Sequence, residues 1–126
     1  MILVLDSSAI LAAYNNEQGA DKVRGAAGQR LVSAVNFSEV EAKLLERGMP
    51  QEAILLLESY LPCDIIDFDR ALASLCAKLR QLTKRRGLSL GDRACLALAI
   101  RENATALTAD RAWAELDIGM TVELIR

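Results

Sequence analysis

The chain has 126 residues, of which 52% are hydrophobic and 25% are charged, and its net charge is −2. A chain of this length is typical of one domain with a core large enough to fold without a stabilising metal or disulfide. The sequence has no histidine and three widely spaced cysteines, which argues against a zinc site and for reduced thiols in the cytoplasm. Its longest apolar run, Ala94 to Ile100, is far shorter than the roughly 20 residues that span a bilayer, so we expect no membrane association.

The first half of the chain begins with a short strand and continues mostly as helices. Ile2–Leu5 is wholly apolar, which is typical of a strand covered on both faces, and Ser7–Tyr14 follows as a helix. Asn15–Gly28 is polar and contains glycine, which predicts a loop with at most a loose helix. Leu31–Val35 is the second predicted strand, and Phe37–Arg47 continues as a helix that ends at the next glycine.

The second half repeats this alternation. A helix is predicted over Gln51–Tyr60, followed by a strand of marginal length at Asp64–Asp67. Two helices come next, Asp69–Arg86 and Ser89–Glu102, and the second is apolar nearly all round and therefore buried. The last predicted elements are strands at Ala104–Leu107 and Met120–Ile125, with a short helix that starts at Asp110 between them.

Strands that alternate with helices indicate an α/β domain with a mainly parallel sheet. Connections between parallel strands cross over the sheet in a right-handed sense, so helices cover both faces and give a three-layer sandwich. We expect residues 1–126 to form a single domain of this kind.

Four acidic residues occupy positions that face one edge of the predicted sheet. Asp6 directly follows the first strand, and Asp110 follows the fourth. Glu39 and Asp92 each lie in the first turn of a predicted helix that starts at the same edge. Ligands of open α/β sheets bind beyond the carboxyl ends of the strands, where the strand order reverses. If the order is 3-2-1-4-5, strands one and four are neighbours at that point.

The chemistry of such a cluster favours a divalent metal. Carboxylates that lie close together repel one another unless a cation neutralises them, and Mg²⁺ prefers hard oxygen ligands. A bound metal lowers the pKa of its water and orients a phosphodiester. Because the chain has no histidine to act as a general base, metal-activated water is the natural nucleophile, and phosphoryl transfer is the best match.

Each acid also has a purely structural interpretation, as a helix cap or in a local turn. Asn36 to Glu39 and Ser89 to Asp92 both fit a capping box, in which a cap residue is followed three positions later by an acid. Asp110 can cap the short helix that follows it, and Asp6 can form a local turn. Capping does not explain why four acids would face the same edge, so we favour a functional site.

At these residues the sequence resembles the PIN-domain family, and within it the VapC-type toxins of toxin–antitoxin pairs. The matching stretches follow the family's order along nearly the whole chain and are Leu3–Leu11, Asn36–Val40, Gly87–Ala99 and Leu107–Trp113. The resemblance implies a Rossmann-like PIN sandwich with five strands in the order 3-2-1-4-5. It also implies an endoribonuclease that uses Mg²⁺ or Mn²⁺.

The resemblance assigns roles to individual residues. It implies that Asp6, Glu39, Asp92 and Asp110 are the catalytic acids, and that the three aspartates hold the metal. Ser7 and Thr108 match the small polar residues that support the acids in the family. Asp110 matches the least uniform of these acids, so we expect it to matter least. The expected partners are an RNA substrate, a VapB-type antitoxin and a second copy of the chain in a homodimer.

Two further segments have both a functional and a structural interpretation. Lys84, Arg85 and Arg86 belong to a basic stretch that either holds RNA phosphates or forms an ordinary solvated helix face. Ala53–Leu57 together with Leu61 has more apolar residues than one face of a short helix needs to bury. This segment is either core or the surface that contacts a second copy or an antitoxin helix.

Other functions fit the sequence less well. A receiver domain needs a lysine late in the chain, but the last lysine here is Lys84, ahead of the fourth strand. Phosphatases of the haloacid-dehalogenase type need Asp-x-Asp after the first strand, and Asp6 is followed by two serines. A PIN scaffold that acts by binding protein or RNA without catalysis is the main alternative. A nuclease that acts on DNA is also compatible with the metal chemistry.

Overall fold

The computed structural model describes all residues, Met1–Arg126, as an α/β sandwich around one sheet. Its five strands are all parallel and have the order β3-β2-β1-β4-β5. The strands are β1 (Ile2–Leu5), β2 (Gln29–Ser33), β3 (Asp64–Ile66), β4 (Thr105–Thr108) and β5 (Thr121–Leu124). This confirms the predicted fold class and strand order, and it places the reversal of strand order at β1.

Six α-helices cover the sheet, and two short 3-10 helices lie in the connections. The α-helices are α1 (Ser7–Tyr14), α2 (Ala20–Gly25), α3 (Ala34–Glu46), α4 (Gln51–Tyr60), α5 (Arg70–Leu82) and α6 (Leu90–Arg101). The 3-10 helices are Lys84–Arg86 and Arg111–Glu115. No helix has both the length and the apolar character needed to cross a membrane.

Successive residues of each central strand contribute to two different cores. In β1, Val4 packs among residues of α5 and α6, whereas Leu5 packs among residues of α1, α3 and α4. Leu31 and Val32 alternate in the same way in β2. Side chains of a strand point to opposite faces in turn, so a wholly apolar strand needs helices on both faces. The two cores therefore fix the sheet between its helical layers.

Two predicted boundaries are wrong by a few residues. The second strand ends at Ser33, and α3 begins at Ala34, so Val35 is helical rather than extended. The hydroxyl of Ser33 accepts a hydrogen bond from Val35 N at 3.2 Å and caps this helix. Because α3 starts early, Glu39 lies in its second turn. The predicted helix Asp69–Arg86 is also interrupted, since α5 ends at Leu82 before a 3-10 turn.

Helix α6 is the most deeply buried helix, as its composition predicts. Residues 94–99 are all fully buried. Alanine and leucine suit this position because they favour helix and carry no polar atoms that need partners. A buried helix is a rigid support, so the side chains of its first turn have a fixed position beside the carboxyl end of β1.

Candidate active site

A cleft of about 250 Å³ opens at the carboxyl ends of β1 and β4. The amide of Asp6 donates to the carbonyl of Leu107 at 2.9 Å, which continues the pairing of these strands past the end of β1. The residues that line the cleft come from three helices and from the loops after β1 and β4 and are Asp6, Ser7, Ser8, Leu11, Glu39, Lys43, Asp92 and Asp110. All four predicted acids thus line one cleft, and the pairing of β1 with β4 accounts for the places of Asp6 and Asp110 in it.

Asp6 lies deepest among the acids and has its carboxylate held on one side. The hydroxyls of Ser8 and Thr108 donate to its Oδ2 at 2.7 Å and 2.9 Å. The residue is only 5% exposed, and this burial raises the pKa of its carboxyl group. The two hydrogen bonds oppose that shift, whereas the negative charge of Asp92 adds to it. Asp6 is therefore a buried acid that would gain from a nearby cation.

Two hydroxyl groups join the loops that follow β1 and β4. Ser8 Oγ accepts a hydrogen bond from Ala109 N at 3.0 Å, and Thr108 Oγ1 accepts one from Asp110 N at 3.0 Å. Each hydroxyl therefore accepts from a backbone amide and directs its own hydrogen to Asp6. Thr108 itself is fully buried beneath the cleft. The backbone after β4 thus fixes both hydroxyls, and through them the orientation of the Asp6 carboxylate.

Glu39 is held in a similar way by the residues around it. Its Oε1 accepts hydrogen bonds from Ser7 Oγ at 2.7 Å and from Asn36 Nδ2 at 3.2 Å. Asn36 is fully buried and also donates to the carbonyl of Gly91 at 3.0 Å, which ties α3 to α6. A side chain at position 91 would overlap the Glu39 carboxylate, which would have to move from its present position. Glu39 is thus packed directly against the first turn of α6.

Asp92 and Asp110 do act as helix caps, as their sequence context suggests. Asp92 Oδ2 accepts from Ser89 N at 3.0 Å while Ser89 Oγ accepts from Asp92 N at 3.1 Å, which completes a capping box. Asp110 Oδ1 accepts from Ala112 N at 3.0 Å and caps the second 3-10 helix. Capping uses one oxygen of each carboxylate, and both residues still line the cleft.

Neither of the other two acids caps a helix. Asp6 precedes α1 without a side-chain cap bond, and it accepts a local hydrogen bond from Ser8, in keeping with the turn that its sequence context predicts. The predicted capping box from Asn36 to Glu39 is also absent, because Ser33 caps α3 instead. The side chains of Asp6 and Glu39 are therefore oriented by hydrogen bonds from other side chains, among them Ser7 and Ser8 at the start of α1, and neither acid caps a helix.

All four carboxylates share one property. Each has an oxygen that is held at 3.2 Å or less by a hydrogen bond from the protein, while its second oxygen accepts no such bond. The site offers hard oxygen donors only, which is the ligand type that Mg²⁺ and Mn²⁺ accept. The four acids line the cleft but do not converge on one point. No three Asp, Glu, Cys or His side chains are grouped closely enough to hold a metal ion directly. In its donor chemistry, the cleft fits a hydrated divalent cation that keeps several waters.

Sequence reasoning missed several residues of this site. Lys43 lines the cleft and could have been found from its spacing, since it lies one helical turn after Glu39 on α3. The sequence predicts Ser8 only as a partner of Asp6 in a local turn, whereas its hydroxyl also accepts from Ala109 N in the loop after β4. The contact of Gly91 with Glu39 had no sequence signal, because it depends on how α3 packs on α6.

The predicted RNA-binding residues lie outside the cleft. Arg86 donates to Glu115 in an ion pair of 2.7 Å, so its charge is balanced within the chain. Lys84 and Arg85 are exposed and form no ion pair. Arg93, the neighbour of Asp92, is buried and donates to the carbonyl of Cys76 at 3.2 Å, so it points away from the cleft.

Comparison with known proteins gives one family. The sequence model of the PIN domain matches residues 3–119. No curated protein sequence matches the chain. Among solved structures, a toxin–antitoxin complex from Klebsiella pneumoniae has a chain with a TM-score of 0.78 and 20% identity, with 98% of each chain covered.

Two other solved structures have the same fold over nearly their whole length. DNA-bound VapBC from Salmonella typhimurium gives a TM-score of 0.79 at 15% identity, with 100% of this chain and 99% of that chain covered. VapBC-5 from Mycobacterium tuberculosis gives 0.69 at 23% identity, with 99% and 98% covered. At these identities the likeness shows a shared fold.

Proposed function

This chain belongs to the PIN-domain family, and from that premise we propose that it is a metal-dependent endoribonuclease and the toxin of a toxin–antitoxin pair. The observation that carries the proposal is the cleft in which four carboxylates each keep one oxygen free of protein hydrogen bonds. Held carboxylates with free oxygens are suited to bind a divalent cation, because the protein fixes the ligand and leaves a lone pair available.

In this proposal Asp6, Asp92 and Asp110 hold the metal, and Glu39 completes the catalytic acids. When bound there, Mg²⁺ or Mn²⁺ supplies an activated water and neutralises charge on the phosphodiester. Ser8 and Thr108 keep the free oxygen of Asp6 turned toward the cleft by engaging the other one. Each acid thus has a support within the chain that sets its direction before the substrate arrives.

Glu39 differs from the aspartates in where it lies. Ser7 and Asn36 hold its carboxylate against Gly91, at the side of the cleft formed by α3 and α6. From this position it can accept a proton from the attacking water or orient that water by a hydrogen bond. Ser7 therefore supports Glu39 in the way that Ser8 supports Asp6.

Lys43 gives the cleft a positive charge on the wall formed by α3. It lines the same cleft as the acids but forms no ion pair with any of them. A free ammonium group beside four carboxylates is available to a phosphate oxygen of the substrate. We therefore include Lys43 among the residues that contact RNA near the point of cleavage.

The proposed protein partners are a VapB-type antitoxin and a second copy of the chain. Several solved structures with this fold are toxin–antitoxin complexes. Helix α4 exposes Leu55 by 56%, Leu56 by 72% and Tyr60 by 54%, which is apolar area that a partner would cover. Light scattering of the wild type and Leu56→Glu tests the dimer: equal masses at the size of a single chain would remove α4 as a dimer contact.

The deciding experiment is cleavage of a structured RNA pool with Mg²⁺, with Mn²⁺ or with EDTA. Wild-type protein freed of any antitoxin is compared with Asp6→Asn, and circular dichroism verifies that both are folded. We expect cleavage that needs the metal and is lost in the variant. If RNA from sensitive cells also stays intact with folded wild-type protein, the chain is a PIN scaffold that acts by binding.

A DNA strand of the same sequence completes the experiment. The carboxylate cleft by itself does not distinguish ribose from deoxyribose, so the two strands are offered at equal concentration. Cleavage of the RNA alone supports the endoribonuclease. Equal cleavage of both strands would extend the activity to DNA and contradict the restriction to RNA.

A further inference from the structure

A second pocket, of about 270 Å³, lies where α5 meets the start of α6. Its walls combine two cationic side chains with small and apolar residues, and the full lining is Arg80, Thr83, Lys84, Gly87 and Leu88. No acidic residue contributes to it. A concave site with two positive charges and no negative one favours an anion.

The charges of this pocket are not balanced within the chain. Neither Arg80 nor Lys84 forms an ion pair or a side-chain hydrogen bond, and both are exposed. Arg86 differs, since Glu115 neutralises it at 2.7 Å. The structure therefore divides the basic stretch of the sequence: Arg80 and Lys84 remain available to a ligand, whereas Arg86 is already engaged by Glu115.

The packing of α5 on α6 places the pocket next to the carboxylate cleft. Arg101 pairs with Asp69 at 3.3 Å, and Arg93 donates to the carbonyl of Cys76 at 3.2 Å, so the two helices run antiparallel. The end of α5 consequently lies beside the start of α6, where Asp92 is located. Ser89 N, which donates to Asp92 at 3.0 Å, is bonded directly to Leu88 of the pocket.

The floor of the pocket is rigid. Thr83 is only 3% exposed, and its hydroxyl donates to the carbonyl of Leu79 at 2.7 Å, which ends α5 in a fixed geometry. Gly87 has φ of +63°, a left-handed conformation that most residues adopt at a cost, and it turns the chain back toward α6. The cations therefore extend from a fixed backbone.

We propose that Arg80 and Lys84 form a binding site for a backbone phosphate of the RNA, at a nucleotide next to the one that is cut. This inference rests on the proposed ribonuclease function. An RNA strand that enters a cleft lined by four carboxylates meets repulsion, which cations along its path offset. Leu88 of the pocket is one peptide bond from Ser89, which caps α6 and bonds to Asp92, so a strand bound in the cleft can reach the pocket.

The test compares two double variants that each remove two positive charges. Arg80→Ala/Lys84→Ala removes the pocket cations, while the control Arg70→Ala/Lys78→Ala removes an arginine and a lysine of α5 that lie outside the pocket. All are made on the Asp6→Asn background so that the RNA stays intact. Fluorescence anisotropy of a labelled single-stranded RNA then gives the Kd across a series of KCl concentrations.

We expect the pocket variant to bind several-fold more weakly at low salt. The slope of log K against log salt should also become shallower by about 0.7 for each phosphate that the protein no longer neutralises. The control should keep the slope of its Asp6→Asn parent. Equal slopes in the two double variants overturn the proposal. This outcome is expected if Arg80 and Lys84 only stabilise the end of α5, in which case their removal lowers the Tm without changing RNA binding.

Cleavage kinetics separate this inference from the proposed function. With Asp6 restored, we expect the pocket variant to raise KM with kcat little changed, since the site binds RNA away from the reacting atoms. If the wild type cleaves RNA and both double variants keep its KM, the phosphate site is wrong and the nuclease stands. If the wild type cleaves no RNA, the nuclease is wrong, and the salt slopes alone decide the pocket.

Discussion

The hydroxyl of Thr108 lies 2.9 Å from Oδ2 of Asp6, although the two residues are 102 positions apart in the chain. The contact exists because β1 and β4 are neighbours whose pairing matches Leu5 with Leu107. Ser8 donates to the same oxygen at 2.7 Å from the other side. These two hydrogen bonds fix the orientation of the Asp6 carboxylate, and burial raises its pKa. This combination leads to predictions about stability as well as activity.

Asp6→Asn should stabilise the metal-free protein. Burial raises the pKa of Asp6, so the ionised carboxylate disfavours folding at neutral pH, whereas asparagine keeps an oxygen that can accept from Thr108 and Ser8. We expect a higher Tm for the variant in EDTA at pH 7, measured by circular dichroism. An unchanged or lower Tm would show that burial of the wild-type carboxylate does not disfavour folding.

The difference in Tm between Asp6→Asn and the wild type should depend on pH. An acid whose pKa is raised on folding favours the folded state below its ordinary pKa, here 3.8, and this contribution is lost as the pH rises through the folded-state value. The advantage of Asp6→Asn in Tm should therefore be largest near neutral pH and should shrink as the pH falls toward 3.8. A difference in Tm that stays constant over this pH range would show that the raised pKa of Asp6 is not its cause.

Magnesium should make the wild type more stable than Asp6→Asn, which reverses the order expected in EDTA. A ligand that binds only the folded protein stabilises it by about 1.4 kcal/mol at ten times its Kd. We expect Mg²⁺ to raise the Tm of the wild type but not of Asp6→Asn or Asp92→Asn, at constant ionic strength. Glu115→Gln is the matched control, because it removes an acid that lies outside the cleft and should keep the full response. Equal responses in all four proteins would mean that Mg²⁺ does not bind in the cleft.

Asp110→Asn should reduce RNA cleavage less than Asp6→Asn. Asp6 is buried and held by two side chains, whereas Asp110 is exposed and its carboxylate accepts a hydrogen bond only from Ala112 N. An exposed ligand is replaced more easily by water, which octahedral Mg²⁺ accepts readily. Turnover numbers at saturating Mg²⁺ measure the difference. Equally low turnover in two folded variants would make Asp110 as important as Asp6.

Much of this site was predictable because it follows local rules. Asp6 and Asp110 come shortly after buried strands, and Asp92 is the last residue of the capping box that starts at Ser89, so their places needed no knowledge of packing. The start of α3 was harder, since Ser33 and Asn36 are both good cap residues. The structure uses Ser33, which leaves Asn36 free to enter the core and bond to Gly91.

Contacts between distant elements could not be predicted in the same way. The overlap that a side chain at position 91 would cause with Glu39 depends on the distance between α3 and α6. The capping box extends from Ser89 to Asp92, and the glycine within it looks like a tolerated defect in a helix. Its role appears once both helices are packed on the sheet.

Gly91→Ala should therefore reduce cleavage by moving Glu39, although alanine favours helix. Alanine gains about 1 kcal/mol over glycine in a helix, but the added carbon would force the Glu39 carboxylate away from Ser7 and Asn36, and each lost hydrogen bond costs about 0.5–1.5 kcal/mol. Because these contributions oppose each other, we expect reduced cleavage with little change of stability in urea. Gly25→Ala, where an added carbon meets nothing within 4 Å, is the control and should keep wild-type cleavage.

A double variant identifies the contact responsible. If Glu39 causes the overlap, Gly91→Ala should become stabilising when Glu39→Ala is already present. The coupling between the two substitutions is read from the four free energies of unfolding. Additive effects would mean that the effect of Gly91→Ala does not depend on Glu39.

Lys43→Ala should weaken cleavage chiefly through KM. Lys43 lines the acidic cleft without an ion pair, and a hydrogen bond between charged groups contributes about 1.5–3 kcal/mol, so its removal should raise KM about tenfold or more. Lys43→Arg keeps the charge and should restore most of the affinity. Arg47→Ala, one turn further along the chain, is the matched removal of an exposed cation and should leave KM unchanged. If Lys43→Ala and Arg47→Ala behave alike, the cleft does not use this lysine, and the acids meet the substrate without a cation from α3.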